Sequence, residues 1–168
     1  MFVKQSDLLL GLDDRFKKDF TDSALKKTHP KGYKLFNTGD TADSFYILTE
    51  GRIRISVGEE EDDKTTYIVE HAGEGFGWSG LVGFERYTGS AECLVESSVM
   101  VFDNKFVKDL AESDPLNGLR FYRRLARMLG DRLIHSYYHD DADAIYEGLV
   151  HNNPGATKHL RKLIKPLK

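Results

Sequence analysis

The sequence predicts a mainly β domain with helices on either side of it. The prediction depends on three observations: helical apolar spacing before residue 28, short β-prone segments from residue 32 to about 102, and helical spacing again from about residue 104. Several short strands at close spacing indicate a sandwich, roll or barrel rather than a parallel α/β sheet. A chain of 168 residues is long enough to bury the core of one such domain without disulfides or bound metals to stabilise it.

Residues 4–28 are predicted to be helical, because leucine and phenylalanine recur there at spacings of three to five. Pro30 breaks the pattern, since proline disfavours helix in the residue before it. The next segments are rich in β-branched and aromatic residues and are predicted as strands: 33–36, 44–49, 52–57, 65–70, 90–95 and 99–102. The acidic segment 58–63 (GEEEDD) is the predicted hairpin turn.

The last stretch is predicted to hold a short helix over residues 106–112 and a long one over about 114–140, opened by Pro115. One apolar set on the long helix has the three–four spacing of a helix–helix seam: Leu119, Tyr122, Ala126, Leu129 and Leu133. A second apolar set lies beside it: Phe121, Leu125, Met128 and Ile134. A helix with two apolar faces can offer one of them to a partner, although two intramolecular contacts fit the spacing equally well.

Composition and charge exclude several functions. A net charge of -3 provides no overall basic field for nucleic acid, and a single cysteine excludes a disulfide framework or a Cys-rich metal site. No apolar run is long enough to span a membrane, and the first residues lack the pattern of a signal peptide, so a cytoplasmic protein is expected. The tail, residues 151–168, carries five cations and no acid, which leaves -8 for the domain over residues 1–150. The tail is predicted to be a solvated helix or a contact for an acidic protein partner or for nucleic acid.

No catalytic motif is recognisable, so the chain is predicted not to be an enzyme. His135 and His139 stand four residues apart, which is a metal-capable spacing, but no third ligand is defined and no metal is predicted. His71 alone lies among the strands, which is too few histidines for a cupin-type metalloenzyme and weak support for haem. Cys93 is predicted to be a small buried apolar residue.

Residues 73–82 (GEGFGWSGLV) are the most informative segment for function. Their glycines allow the backbone to approach an anion closely and to present several N–H groups to it. Arg86, Thr88 and Ser90 follow within reach and would add one cation and two hydroxyls. A tight corner without any ligand is an equally good interpretation of the glycines alone.

This segment, together with residues 32–51 (GYKLFNTGDTADSFYILTEG), resembles the cyclic-nucleotide-binding domain family, the sensor part of catabolite-activator-type regulators and of cAMP-dependent kinase regulatory subunits. Gly39 and Gly51 stand at the family's turn glycines, and residues 73–77 match the start of its phosphate-binding cassette. The resemblance covers roughly residues 5–135. It implies an eight-strand antiparallel β-roll (a double-stranded β-helix of jelly-roll type), N-terminal helices and a long C-terminal helix.

The resemblance also implies a small-molecule-sensing regulatory module, with the ligand, a cyclic nucleotide in the family, between the cassette and the inner face of the roll. The residues expected to line that site are Gly77, Trp78, Ser79, Gly80, Leu81, Arg86, Thr88, Gly89 and Ser90. The cassette departs from the family pattern, because Trp78 stands where the family has a glutamate for the ribose and Thr88 or Gly89 where it has an arginine for the phosphate. The alternative is a ligand-free scaffold or a dimerising protein-interaction module, in which Trp78 fills the pocket.

Two expectations about assembly follow from the same resemblance. The seam on the long helix implies a homodimer. About 28 residues follow Asp140, fewer than the winged helix-turn-helix of the family's transcription factors needs. The chain is therefore expected to be a stand-alone bacterial member that does not bind DNA directly.

Overall fold

In the computed structural model, which describes residues 6–57 and 64–139, eight strands lie between helical segments. The strands are β1 (Leu25–His29), β2 (Lys34–Phe36), β3 (Ser44–Glu50), β4 (Ile53–Val57), β5 (Lys64–Val69), β6 (Gly75–Phe76), β7 (Ser90–Cys93) and β8 (Ser97–Asp103). The α-helices are α1 (Asp14–Asp22), α2 (Asn104–Ser113) and α3 (Pro115–His139). Two 3-10 helices span Asp7–Leu9 and Trp78–Val82, and the second is called the cassette helix below.

The strands form two four-stranded antiparallel sheets. The first has the order β1-β8-β3-β6 and the second has the order β2-β7-β4-β5. Successive side chains of a strand point to opposite faces, so Phe45 and Ile47 of β3 pack on one side of the first sheet and Tyr46 and Leu48 pack on the other. The first sheet therefore has an apolar core on each of its faces.

The helical core lies between the first sheet and the helices and is formed by Leu8, Leu9, Leu12, Phe16, Phe20, Phe45, Ile47, Leu81, Phe102, Val107, Phe121 and Leu125. The roll core lies between the two sheets and is formed by Phe36, Ala42, Tyr46, Leu48, Ile53, Ile55, Val69, Phe76, Tyr87, Ala91, Cys93 and Val99. Cys93 is fully buried there, as its strand position predicts.

The predicted mainly β class and the eight-strand antiparallel roll with flanking helices are confirmed. The single helix predicted over residues 4–28 is wrong in its extent, because only Asp7–Leu9 and Asp14–Asp22 are helical and Leu25–His29 forms β1, which pairs with β8. The cause is the position of β1 at a sheet edge, where four of its five residues are exposed and no alternation of polarity marks a strand. Strand β6 has only two residues and was not predicted.

One side-chain cluster joins α1 to the junction of α2 and α3. Asp13 caps α1 by accepting a hydrogen bond from the Phe16 N–H at 2.8 Å. The buried Asn117 side chain accepts from the Asp13 N–H at 3.1 Å and donates both to the Asp13 carboxylate and to Asp114 Oδ2, the latter at 2.8 Å. The pKa of Asp13 lies below its usual range, chiefly because the Phe16 N–H favours the carboxylate, with smaller contributions from Asn117 and Arg120.

The chain divides into two compact units, Met1–Leu129 and Gly130–Lys168. The second unit is described only over the C-terminal part of α3, so the predicted tail at residues 151–168 lies outside the described residues, as does the predicted turn at 58–63. The division predicted at residue 150 stays a prediction. No helix among the described residues is long and apolar enough to cross a membrane.

Candidate functional site

The cassette begins with a sharp turn that requires glycine. Gly77 has a φ of 71°, in the left-handed region, and a Cβ at this position would lie 2.8 Å from Tyr46 Cδ2. The cassette helix follows directly and ends at Gly83, which has a φ of 98°. The backbone therefore turns from β6 into the cassette helix while pressed against the aromatic side chains of the roll core.

The cassette helix is anchored to the start of α2. A Cβ at Gly80 would lie 2.0 Å from the Ala42 carbonyl oxygen, so only glycine fits there. Asn104 Nδ2 donates to the same oxygen at 2.9 Å, and Asn104 Oδ1 is buried with no hydrogen-bond partner among the described residues. Leu81 is buried in the helical core. These contacts tie the cassette to both β3 and the helices.

Residues 86–89 face the outside and the inside of the roll in alternation. Arg86 and Thr88 are exposed, whereas Tyr87 and Gly89 are buried. Arg86 Nη1 donates to the Gly39 carbonyl at 2.7 Å, on the outer side, and the backbone of Arg86 bridges to Thr41. The predicted phosphate-binding cation is thus engaged with the turn that follows β2.

The Tyr87 side chain occupies the interior of the roll. Its ring stacks on Phe36 with centroids 3.9 Å apart, and its hydroxyl donates to the Ser44 carbonyl at 2.7 Å and accepts from the Ser44 N–H at 3.1 Å. Tyr46 stacks on Phe76 at 5.2 Å and lies 5.6 Å from the Phe36 ring. Burial raises the pKa of both tyrosines, because a phenolate would be poorly solvated there.

Trp78 is not the residue that fills the roll, which corrects the alternative predicted from the sequence. Its side chain is half-buried against the helical core, and its ring meets Phe84 edge-on with centroids 6.5 Å apart. Trp78 is the first residue of the cassette helix, directly after the left-handed Gly77, and packs on the helical side of the first sheet. Phe36, Tyr46 and Tyr87 were missed, although the polar–aromatic–polar run Arg86-Tyr87-Thr88 was a signal that Tyr87 points inward.

The structure brings some of the predicted site residues together and separates others. The five from Gly77 to Leu81 form one turn of chain, and the Thr88 N–H and hydroxyl each lie 3.4 Å from the Ser79 hydroxyl. Gly89 packs against the Ser56 carbonyl, where a Cβ would approach to 2.7 Å. Ser90 accepts a hydrogen bond from the Thr38 N–H at 2.9 Å, so its hydroxyl, like Arg86, is directed to the turn after β2.

The predicted dimer seam on α3 is partly exposed. Leu119 is 58% exposed, Leu133 is 52% exposed and Ala126 is exposed, whereas Tyr122 and Leu129 are half-buried against the helical core. Of the second apolar set, Phe121 and Leu125 are buried, Met128 is half-buried and Ile134 is exposed. The side chains of His135 and His139 lie outside the described residues, and no group of three or more metal-ligating residues occurs within the described ranges.

Comparisons with known proteins agree on the kind of domain. Residues 26–114 match the sequence model of the cyclic nucleotide-binding domain family. A cyclic nucleotide-binding domain from Methylobacillus flagellatus KT superposes with a TM-score of 0.70 at 17% identity, over 83% of this chain and 78% of that one. Catabolite activator protein of Thermus thermophilus superposes with a TM-score of 0.67 at 20% identity, over 84% of this chain and 65% of that one. Glutaminase 1 of Bradyrhizobium diazoefficiens is 29% identical over 110 residues, which are 64% of this chain but span only 17% of that protein.

Proposed function

Since the chain belongs to the cyclic nucleotide-binding domain family, we propose that it is a regulatory module whose roll is filled by its own aromatic side chains. In this proposal the interior of the roll does not accept a cyclic nucleotide, and regulation operates through protein association at the surface. The observation that carries the proposal is the Tyr87 ring, which is 4% exposed and stacked on Phe36 inside the roll.

The energetic argument starts from what a nucleotide would have to displace. Moving Tyr87 out of the roll would remove a buried ring from its packing and break two hydrogen bonds to Ser44. Losses of this kind cost about 4 kcal/mol, which corresponds to a roughly thousandfold weaker affinity. A nucleotide would need unusually favourable contacts to compensate for that cost.

The charge argument points the same way. A cyclic phosphate that leaves water needs a cation or strong hydrogen-bond donors. No fully buried residue of the described chain carries a positive charge, and Arg86 is directed outward to the Gly39 carbonyl. A nucleotide in the roll would therefore be both sterically opposed and electrostatically unpaired.

The test is a thermal-shift and calorimetric titration with cyclic AMP, cyclic GMP and cyclic dinucleotides. The wild-type protein is expected to show no shift with any of them. The Tyr87→Ala variant opens space inside the roll and is expected to bind more tightly than the wild-type protein, whereas Thr88→Ala changes an exposed residue, leaves the roll filled and is the matched control. A saturable shift of the wild-type protein with a cyclic nucleotide would refute the filled-roll proposal.

A second candidate function, the sensing of a small anion at the surface of the cassette, is favoured by one observation. Arg86 and Thr88 share the exposed side of their segment, and Thr88 contacts the Ser79 hydroxyl. In this version Ser90 contributes to the same site, because its hydroxyl and the Arg86 guanidinium both lie at the turn after β2. A small-anion shift that disappears in Arg86→Ala, while Arg52→Ala keeps it, would favour this candidate.

The exposed part of the seam supports a further proposal, that two copies pair through α3. Leu119 and Ala126 provide an exposed apolar line, and exposed leucines at this spacing are typical of helix–helix contacts. Sedimentation is expected to show a dimer that Leu119→Asp weakens. Leu25→Asp is the control, because Leu25 is equally exposed but lies on β1. An unchanged oligomeric state of the Leu119→Asp variant would contradict pairing through α3.

A further inference from the structure

One line of α3, on a different side from the seam, carries a leucine followed by three arginines. They stand at spacings of four, three and four, which places them on one side of a helix: Leu116, Arg120, Arg123 and Arg127. All four are exposed, and the buried Phe121 and Leu125 lie on the opposite side of α3. We call these four residues the arginine row.

The local charge of the arginine row is unusual for this chain. From Pro115 to Leu129 there are four arginines and no acidic residue, so this stretch carries +4 while the whole chain carries -3. Neither Arg120 nor Arg123 forms an ion pair with a residue that the structure describes, and Arg120 acts on Asp13 only at a distance. Arg120 and Arg123 therefore form a local positive patch on an acidic molecule, and Asp13 is an acid within electrostatic reach of Arg120.

Several cations on α1 and α2 pair with acids of the same helix. Arg15 pairs with Asp19 and Lys18 with Asp22 on α1, and Lys105 pairs with Asp109 on α2, all at i, i+4 spacing. On α3, Arg120 and Arg123 stand three residues apart as like charges on one side of the helix, and neighbouring like charges repel each other. An acidic partner would remove this repulsion.

We propose that the arginine row binds an acidic amphipathic helix of a partner protein. Guanidinium groups fit carboxylates in a two-pronged geometry, and Leu116, which is 59% exposed at the end of the row, supplies an apolar anchor. That leucine favours a protein helix over a nucleic acid, because a phosphate backbone has no apolar group to bury against it. A second copy is disfavoured as the occupant of the arginine row, as distinct from the seam, because symmetric pairing there would place arginine against arginine.

This proposal rests on the proposed function only in placing protein association on the surface of α3, and its test uses different measurements. The probe is a fluorescein-labelled helical peptide with leucine and glutamate on one face, and the control peptide has glutamine in place of glutamate. Fluorescence anisotropy at low salt is expected to show saturable binding of the glutamate peptide and at least roughly tenfold weaker binding of the glutamine peptide.

The decisive comparison is between two charge-reversed variants. Arg120→Glu/Arg123→Glu is expected to weaken peptide binding roughly tenfold or more, since each reversal replaces an attraction by a repulsion. Lys26→Glu/Lys27→Glu makes the same change in net charge on β1, where both lysines are exposed, and is expected to weaken binding less than about threefold. Circular dichroism checks that both variants fold.

Several outcomes would overturn the proposal. These are no binding of the glutamate peptide to the wild-type protein, equal losses in the two variants, or equal binding of the two peptides. Tighter binding to single-stranded DNA or to anionic lipid vesicles, lost in the α3 variant, would replace the protein partner by that class. A protein that binds both the peptide and a cyclic nucleotide would refute the filled roll and leave the arginine row supported.

Discussion

Replacing Asn117 by alanine is expected to destabilise the protein by about 2–3 kcal/mol, although the residue lies far from the cassette. The Asn117 side chain is 3% exposed and joins the cap of α1 to the start of α3. Alanine would remove one hydrogen bond from the Asp13 N–H and two charge-assisted ones to the carboxylates of Asp13 and Asp114.

The expected loss is smaller than the sum of three full hydrogen bonds. A neutral hydrogen bond contributes about 1 kcal/mol and a charge-assisted one about 1.5–3 kcal/mol. Asp13 is exposed, so water will solvate its carboxylate again after the truncation and recover part of the loss. For a chain of this size, the remaining 2–3 kcal/mol corresponds to a fall in melting temperature of roughly 6–9 °C.

The assay is urea unfolding followed by far-UV circular dichroism. The midpoint is expected to fall while the dependence of the unfolding free energy on urea stays unchanged, because the exposed surface area is nearly the same. Asn37→Ala is the control, since the Asn37 amide donates to Asp40 at 3.3 Å on the surface, and a change below about 0.5 kcal/mol is expected. A loss below that value for Asn117→Ala, or equal losses in both variants, would refute the reasoning.

Two further predictions use the same unfolding assay. Gly80→Ala is expected to lower the free energy of unfolding by about 2 kcal/mol, because its Cβ would overlap the Ala42 carbonyl. Gly130→Ala on α3 is the control, because its Cβ meets open space, and it is expected to raise the free energy of unfolding by up to about 1 kcal/mol. A Gly80→Ala protein as stable as wild type would contradict the close contact. Burial raises the pKa of Tyr87 above its ordinary value of 10.0. The contribution of Tyr87 to the free energy of unfolding is therefore expected to be constant below that pH and to fall above it, because Tyr87 ionises first in the unfolded chain. Tyr87→Phe should reduce this alkaline slope, and an unchanged slope would show that Tyr87 does not contribute to it.

The strands that were predicted well are those whose two faces differ. In β4, Ile53 and Ile55 point into the roll core while Arg54 points away, so polarity alternates in the sequence. That signal is missing from β1, which is an exposed edge strand rich in lysine, and from β6, which has two residues. Both exist because of pairing with distant strands, β8 and β3 respectively, and pairing of this kind leaves no local pattern.

The glycines of the cassette predicted a tight turn, and the structure has one: Gly77 is left-handed and Gly80 makes a close contact. That these residues bind a ligand stays a prediction. The interior of the roll was not predicted. The ring of Tyr87 stacks on Phe36, which lies on β2 far away in sequence, so this contact depends on the tertiary fold and leaves no local pattern. Trp78 was assigned to the pocket by its place beside the cassette glycine, but packing against the helical core decided its position.

The position of Trp78 also separates the two cores spectroscopically. It is the chain's one tryptophan, and it packs on the helical core, while the rigid Tyr46 and Tyr87 rings lie in the roll core on the other face of the first sheet. Tryptophan fluorescence is therefore expected to report on the helical side, and the difference in near-UV circular dichroism between wild type and Tyr87→Phe on the roll. Following both signals on heating would give the order in which the two cores melt.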